Sequence, residues 1–95
     1  MANNDDMRHI TIRIYGKVQG VFFRAQAAAF ARSHGLNGFI QNEPDGSVYV
    51  EAEGKQKDLE LLRTWCNTGP TRADVQRCVV ANGDLQGYTA FEVKR

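Results

Sequence analysis

A nine-residue segment of the chain has the composition of an anion-binding loop. It reads Gly16-Lys17-Val18-Gln19-Gly20-Val21-Phe22-Phe23-Arg24. The two glycines let the backbone curl with its N–H groups facing inward, because glycine reaches positive φ without a steric penalty. A helix that begins at the end of the segment adds free N–H groups and the positive end of its dipole. The guanidinium of Arg24 can grip a phosphate with two parallel donors, so the segment predicts a phosphate site.

This segment differs from the two common nucleotide-binding loops. A P-loop needs Gly-x-x-x-x-Gly-Lys-Ser/Thr, but here Lys17 follows the first glycine and Val21 follows the second. The dinucleotide fingerprint Gly-x-Gly-x-x-Gly is also missing from the segment. On these residues alone an alternative stays open, namely an ordinary strand-to-helix turn whose arginine merely lies on the surface.

The hydrophobic pattern predicts the elements that position this loop. Period-two alternation predicts strands over residues 8–15, 36–42, 47–53, 73–81 and 88–94, and helical spacing predicts helices over 23–34 and 55–67. The order is β-α-β-β-α-β plus a C-terminal strand. Because each strand and each helix has one apolar side, we expect an α+β, ferredoxin-like two-layer sandwich with both helices on one face of a mainly antiparallel sheet.

A second candidate residue, Asn42, closes the second predicted strand just before the turn Glu43-Pro44-Asp45-Gly46. In this topology that turn can lie at the same end of the sheet as the loop before Arg24. Asn42 and Arg24 could therefore face one pocket. The alternative for Asn42 is a turn residue that bonds its own backbone, and the carboxylates of the turn are expected to be solvated.

Length and composition predict one domain of an ordinary soluble protein. The chain has 95 residues, of which 42% are hydrophobic and 24% are charged, and its formal net charge is +1. This charge gives no basic excess, so nucleic acid is not an expected partner. No apolar run is long enough to span a bilayer. Residues 1–7 are polar and predict a disordered N-terminal tail without a secretion pattern, ahead of a domain over 8–95. We expect a cytoplasmic monomer.

The cysteines and histidines do not predict a metal site. Cys66 and Cys78 are twelve positions apart, a spacing that fits neither a redox pair nor a zinc ribbon. They are interpreted as two partly buried free thiols, although a disulfide between the helix end and the next strand stays open. His9 and His34 are isolated in the sequence and complete no ligand set. No metal and no other cofactor is expected.

Two motifs together resemble those of the acylphosphatase family. The family pattern Gly-x-Val-Gln-Gly-Val-x-Phe/Tyr-Arg is matched at every fixed position between Gly16 and Arg24. The second pattern is Gly-aromatic-small apolar-variable-Asn, then Gly-x-Val and a later Gly, and its matching residues are Gly38, Phe39, Asn42, Gly46, Val48 and Gly54. Ile40 is bulkier than the residue usual in the family but stays apolar. The resemblance runs from residue 8 to residue 95.

The resemblance implies hydrolysis of an acyl phosphate to a carboxylate and inorganic phosphate, without a metal. Arg24 would bind the phosphoryl oxygens and neutralise charge in the transition state. Asn42 would orient the attacking water, and its neutrality matters because an Asp would repel the anionic substrate. A phosphate oxygen would itself take the proton of the water, as is proposed for the family. Backbone N–H groups would complete the phosphate cradle, from Gly16, Lys17, Val18, Gln19, Gly20, Val21 and Phe22.

Two binding functions are the alternatives to hydrolysis. RNA-recognition domains share this order of elements, but their third strand carries stacked aromatic residues among basic ones. Here the third predicted strand offers Tyr49 together with the acids Glu51 and Glu53. The other alternative is an acylphosphatase-like domain that binds acyl or carbamoyl phosphates within a larger maturation enzyme. No motif specifies the acyl group of a natural substrate.

Overall fold

The computed structural model describes residues 6–95, which form five strands and two helices in the predicted order. The elements are β1 (Met7–Lys17), α1 (Phe23–Ser33), β2 (Asn37–Asn42), β3 (Val48–Lys55), α2 (Gln56–Thr68), β4 (Asp74–Gly83) and β5 (Phe91–Val93). Residues 1–5 of the predicted disordered tail lie outside the described residues. Met7, which the sequence assigned to that tail, already belongs to β1. The last strand is shorter than predicted, since β5 has three residues.

The sheet has the predicted, mainly antiparallel topology. Its strand order is β4-β1-β3-β2-β5, and only the β2–β5 pair is parallel among the described strands. Ile14 of β1 lies opposite Val48 of β3. This register places the end of β1 beside the start of β3, so the loop after β1 and the β2–β3 turn lie at the same end of the sheet.

The core lies between the sheet and the two helices, as the ferredoxin-like prediction requires. Alternate residues of β1 point into it, and the facing stripe of α1 is also buried. Phe23 of α1 makes an edge-to-face contact with Trp65 of α2, with 5.4 Å between ring centroids. The buried strand and helix residues of this core include Ile10, Ile12, Ile14, Ile40, Val50, Ala27, Ala31, Leu59 and Leu62.

The two cysteines are free thiols at the contact between α2 and β4. The Cys78 Sγ lies 3.6 Å from the carbonyl oxygen of Cys66. Cys66 is buried and Cys78 is half-buried, and burial raises the pKa of both thiols. Neither α1 nor α2, the helices within residues 6–95, has the length and apolar character that crossing a membrane requires.

Candidate active site

Gly16 fixes the path of the chain where β1 enters the loop. Its φ is +128°, and a Cβ placed on it would lie 2.2 Å from the carbonyl oxygen of Asp74 in β4. The β1–β4 register shifts between Tyr15 and Gly16. Only glycine allows this backbone conformation and this close approach of the two strands. Gly16 and Lys17, which belong to the predicted loop segment, are the last two residues of β1 and pair with β4.

The loop from Val18 to Phe22 is anchored by two valines. Val18 and Val21 are buried in the core, whereas Gly20 and Phe22 are exposed. Phe22 is the N-cap residue of α1, and its side chain makes no capping hydrogen bond. The first turn of α1 also carries no acidic residue. The positive end of this helix is therefore available to an anion.

The side chain of Gln19 ties the loop to the β2–β3 turn. Its Nε2 donates hydrogen bonds to the carbonyl oxygens of Glu43 and Ser47, each at 2.9 Å. The sequence indicated only a backbone role for Gln19. The sequence gives no signal for this side-chain role. Both acceptors are backbone carbonyl oxygens, which every residue has. Through this tie Gln19 holds the two segments that carry Arg24 and Asn42 against each other.

Arg24 lies in the first turn of α1 with a half-exposed side chain. Its Nη1 donates a hydrogen bond of 2.8 Å to the carbonyl oxygen of Lys94. The backbone N–H of Lys94 in turn donates to the Ile40 carbonyl oxygen at 2.8 Å. A guanidinium has five N–H donors, so Arg24 is fixed at one edge and keeps donors for a ligand. The Lys94 contact was not predicted.

Asn42 ends β2, and its side-chain amide has no hydrogen-bond partner among residues 6–95. The turn after it is held by other groups. Asp45 Oδ1 accepts from the Ser47 backbone N–H at 2.9 Å and from its hydroxyl at 2.5 Å. The side-chain hydrogen bond from Ser47, and then the backbone one, lower the pKa of Asp45. Asn42 is therefore not the residue that stabilises the turn, which removes the alternative raised by the sequence.

Arg24 and Asn42 line one pocket at this end of the sheet. Its volume is about 290 Å³, and its lining residues are Val18, Gly20, Phe22, Phe23, Arg24, Ala25, Asn42 and Val93. Of the predicted loop residues, Val18, Gly20 and Phe22 line it. The other loop residues, Gly16, Lys17, Gln19 and Val21, are not among the described residues that do so. The pocket joins a loop, a helix start, a strand end and β5.

The charge of the pocket suits an anion. Arg24 is the one charged side chain among the described residues that line it. The nearby Glu43 carboxylate accepts a hydrogen bond from Gln41 at 2.7 Å and lies 3.7 Å from the Arg13 guanidinium. It therefore has partners outside the pocket. No three His, Cys, Asp or Glu side chains within residues 6–95 are close enough to hold a metal ion.

The chain matches a protein-family model. The acylphosphatase model matches residues 10–93. The chain also resembles part of a solved structure of full-length HypF in a phosphate- and nucleotide-bound form, with 25% identity and a TM-score of 0.85. That match covers 94% of this chain but only 12% of the HypF chain.

In two other comparisons the matched region covers almost the full length of both proteins. An acylphosphatase from Methylococcus capsulatus is 39% identical over 90 residues, which are 94% of this chain and 98% of that protein. The solved structure of an acylphosphatase from Coxiella burnetii has a TM-score of 0.94 and 29% identity, with 99% of each chain covered. Since the family model and the full-length relatives agree, this chain belongs to the acylphosphatase family.

Proposed function

We propose that this protein is an acylphosphatase, an enzyme that hydrolyses carboxyl-phosphate mixed anhydrides to a carboxylate and inorganic phosphate. Membership of the family supports this activity. The observation that carries the site assignment is the pocket shared by Arg24 and Asn42 at the start of α1. These two side chains supply a cation for the phosphoryl group and a neutral amide for water.

Binding of the phosphoryl group is the role of Arg24 and the loop. The free donors of Arg24 bind two phosphoryl oxygens, and its charge stabilises the charge of the transition state. The backbone N–H groups of the loop complete the cradle at the N-terminus of α1. Of the segment from Gly16 to Phe22, Val18, Gly20 and Phe22 line the pocket. Gly16 and Lys17 support this part of the loop through their pairing with β4.

Water attack is directed by Asn42. Its amide orients a water molecule in line with the bond from phosphorus to the acyl oxygen. The water oxygen forms a bond to phosphorus while the phosphorus–acyl oxygen bond breaks. The acyl oxygen leaves with the electron pair as a carboxylate, and a phosphoryl oxygen of the substrate takes the proton of the water. A carboxylate is a good leaving group, so this reaction needs no strong general acid.

The reaction is proposed to need no metal or other cofactor. Mg²⁺ prefers carboxylate and other oxygen ligands. The described pocket-lining residues include no carboxylate, and Arg24 supplies the positive charge instead. Turnover is therefore expected to continue in the presence of EDTA.

Phosphate release from benzoyl phosphate tests this function. The purified protein should release phosphate with and without EDTA. Arg24→Gln should raise KM and lower kcat together, reducing kcat/KM by about 10²–10³-fold, because the lost charge acts on both bound substrate and transition state. Arg63→Gln is the matched control, since Arg63 is an exposed α2 residue paired with Glu60. Equal kcat/KM for Arg24→Gln and the wild type would contradict the assignment.

A non-catalytic phosphate-binding module is the second candidate. The resemblance to part of HypF, whose structure contains phosphate and nucleotide, favours this candidate. The same assay separates the two functions when it is combined with calorimetric titration of inorganic phosphate. Binding of phosphate without any turnover of acyl phosphates would establish the module.

We also propose that the protein acts as a monomer in the cytoplasm. The large exposed apolar residues away from the pocket, Leu61, Val79 and Leu85, lie on different segments, namely α2, β4 and the loop after β4. The free thiols of Cys66 and Cys78 fit a reducing compartment. Sedimentation equilibrium at several concentrations would measure the oligomeric state.

A further inference from the structure

Two arginines of α1 bind backbone carbonyl groups at the two ends of β5. Arg24 Nη1 donates to the Lys94 carbonyl oxygen at 2.8 Å. Arg32 donates to the Phe91 carbonyl oxygen twice, from Nε at 3.1 Å and from Nη2 at 2.7 Å. We call these two arginines and the two carbonyl groups that they bind the arginine clamp. Arg24 lines the pocket, whereas Arg32 is not among the described lining residues.

The spacing of the arginine clamp matches the geometry of a helix that lies along a strand. Arg24 and Arg32 are eight positions apart on α1, which corresponds to about 12 Å along a helix. Phe91 and Lys94 are three positions apart, which corresponds to about 10 Å along a strand. The arginine near the start of α1 binds the residue that follows β5, so the two elements run in opposite directions. The helix therefore holds the strand at two points.

The sheet holds β5 on one side only. The strand has three residues, lies at the edge of the sheet, and pairs with β2 alone among the described strands. A single partner gives so short a strand few backbone hydrogen bonds. The Phe91 ring is buried in the core and anchors the start of the strand. The contacts from α1 supply the further support that a second neighbouring strand gives to β1, β2 and β3.

The position of β5 affects the candidate active site in two ways. Val93 lines the pocket that holds Arg24 and Asn42. The Lys94 carbonyl oxygen fixes one edge of the Arg24 guanidinium. A displacement of β5 would therefore move a wall of the pocket and also the group that orients its cation. Misplacement of a catalytic group by about 1 Å can lower a rate by about 100-fold.

We propose that Arg32 is a positioning residue for Arg24. By holding the Phe91 carbonyl oxygen against α1, Arg32 sets the place of β5. The Lys94 carbonyl oxygen after that strand then orients the Arg24 guanidinium for the phosphoryl group. This inference rests on the proposed function and adds to it a residue that is not among the described pocket-lining residues.

A purely local role for Arg32 is the alternative. Arg32 lies in the last turn of α1, where a positive charge interacts favourably with the helix dipole. Such an interaction would stabilise the helix whatever residue stands at position 24. The two roles therefore differ in whether the loss of Arg32 acts through Arg24.

A double-mutant cycle on kcat/KM for benzoyl phosphate distinguishes these roles. Arg32→Met removes the donors but keeps a long side chain, and it should lower kcat/KM by about 10-fold. In the Arg24→Gln background the same change should lower kcat/KM by less than about 2-fold, because the group that Arg32 positions is already missing. Arg32→Lys keeps a donor for the Phe91 carbonyl oxygen and should stay within about 3-fold of the wild type. Arg63→Met is the matched control, since Arg63 is an exposed α2 residue paired with Glu60.

Two results of the cycle would overturn the inference. An equal fold-loss from Arg32→Met with and without Arg24 would show that Arg32 acts independently of Arg24. An unchanged kcat/KM in Arg32→Met would show that β5 keeps its place without the clamp. Thermal denaturation of every variant ensures that the assays are run on folded protein. If Arg32→Met does not fold, Arg32→Gln, whose side chain is polar but shorter than arginine, replaces it in the cycle.

Calorimetric titration of inorganic phosphate separates this inference from the proposed function. Arg32→Met should raise the Kd of phosphate by about 3- to 10-fold, because a less ordered guanidinium binds the anion less well. Arg63→Met should leave it unchanged. If the wild type binds phosphate without hydrolysing benzoyl phosphate, the proposed function is wrong, and a raised Kd in Arg32→Met still supports the positioning role. If the wild type hydrolyses benzoyl phosphate and Arg32→Met keeps the wild-type kcat/KM and Kd, the function stands and the inference fails.

Discussion

At the scale of single residues, the site depends on side chains whose hydrogen-bonding groups are left uncommitted by the fold. The amide of Asn42 has no partner among residues 6–95, because Asp45 and Ser47 stabilise the adjoining turn. Arg24 uses one donor on the Lys94 carbonyl oxygen and retains the others. A free amide beside a partly free guanidinium fits the proposed in-line attack on phosphorus.

Asn42→Ala should separate turnover from binding. We expect kcat to fall by about 10²–10³-fold, the cost of losing one group that acts in the transition state. The inhibition constant of inorganic phosphate should stay within about 2-fold, because Arg24 and the loop bind the anion. Asn67→Ala is the control, since Asn67 is an exposed residue on α2 whose side-chain amide donates to the Arg63 carbonyl oxygen. A near-normal kcat in Asn42→Ala would contradict the water-orienting role.

Arg24 and Asn42, which the sequence singled out as candidates, line one pocket, but the sequence did not predict what holds them there. Arg24 and Asn42 were identifiable because they stand in motifs next to a predicted helix start and a predicted turn. The tie from Gln19 to Glu43 and Ser47, and the contact of Arg24 with Lys94, both end on backbone carbonyl oxygens. Every residue offers such an acceptor, so only the folded chain reveals which one is used.

At the scale of elements, the close pairing of β1 with β4 is set by one glycine. A Cβ on Gly16 would lie 2.2 Å from the Asp74 carbonyl oxygen and 2.8 Å from the Gln76 backbone nitrogen. Neither group can move without breaking the strand pair. The bulge there directs the chain from the sheet into the loop.

Gly16→Ala should therefore be strongly destabilising. We expect a loss of about 2–4 kcal/mol in the free energy of unfolding, measured by urea denaturation, from positive φ together with the steric clash. Gly35→Ala is the matched control, because Gly35 also has positive φ (+70°) but a Cβ there meets nothing within 4 Å. That variant should lose about 1 kcal/mol. Equal losses would show that the clash with β4 contributes nothing.

The length of β5 was predicted less well than the other elements. Alternation predicted a strand over 88–94, but Tyr88 instead turns toward β3. Its backbone N–H donates to Glu53 at 3.2 Å, and its hydroxyl donates to Glu51 at 2.8 Å. These contacts take Tyr88 out of the ladder with β2. The sequence could not predict them, because they join residues more than thirty positions apart.

At the scale of the whole molecule, a buried polar network lies on the sheet face opposite the helices. His9 Nδ1 lies 2.7 Å from a Glu53 carboxylate oxygen, and His9 Nε2 lies 3.2 Å from Glu51. Glu53 also accepts hydrogen bonds from the backbone N–H groups of Gln86, Gly87 and Tyr88. The strand pattern predicted that Glu53 points away from the core. It is only 3% exposed, because the segment before β5 covers it.

The network should make stability depend on acid pH. Burial alone would raise the pKa of Glu53, but the hydrogen bonds from Gln86, His9, Tyr88 and Gly87 outweigh it and lower the pKa below the ordinary 4.5. A lowered pKa in the folded state means that the unfolded chain binds the proton more tightly. The stabilisation is therefore present above about pH 4.5 and is lost as the pH falls through the folded pKa.

Urea denaturation between pH 7 and pH 3 measures this dependence. Glu53→Gln should be less stable than the wild type at pH 7 by about 2–4 kcal/mol, because it weakens several buried hydrogen bonds to a charged group. It should also lose less stability on acidification. Glu60→Gln is the control, because Glu60 is an exposed carboxylate, 3.8 Å from Arg63, and should change stability by less than about 1 kcal/mol. The same acid dependence in wild type and Glu53→Gln would exclude Glu53 as its source.

The hydrogen bond between Arg24 and Lys94 joins residues 70 positions apart, and this has a consequence for how the enzyme acquires its activity. Closing a long stretch of chain costs conformational entropy, which slows the formation of contacts between distant residues. A partly folded chain that contains α1 and β1 to β3 but not the C-terminal segment lacks this contact of Arg24. Regain of turnover after dilution from denaturant should thus be among the last signals to return, which makes the enzyme a stringent reporter of its own refolding.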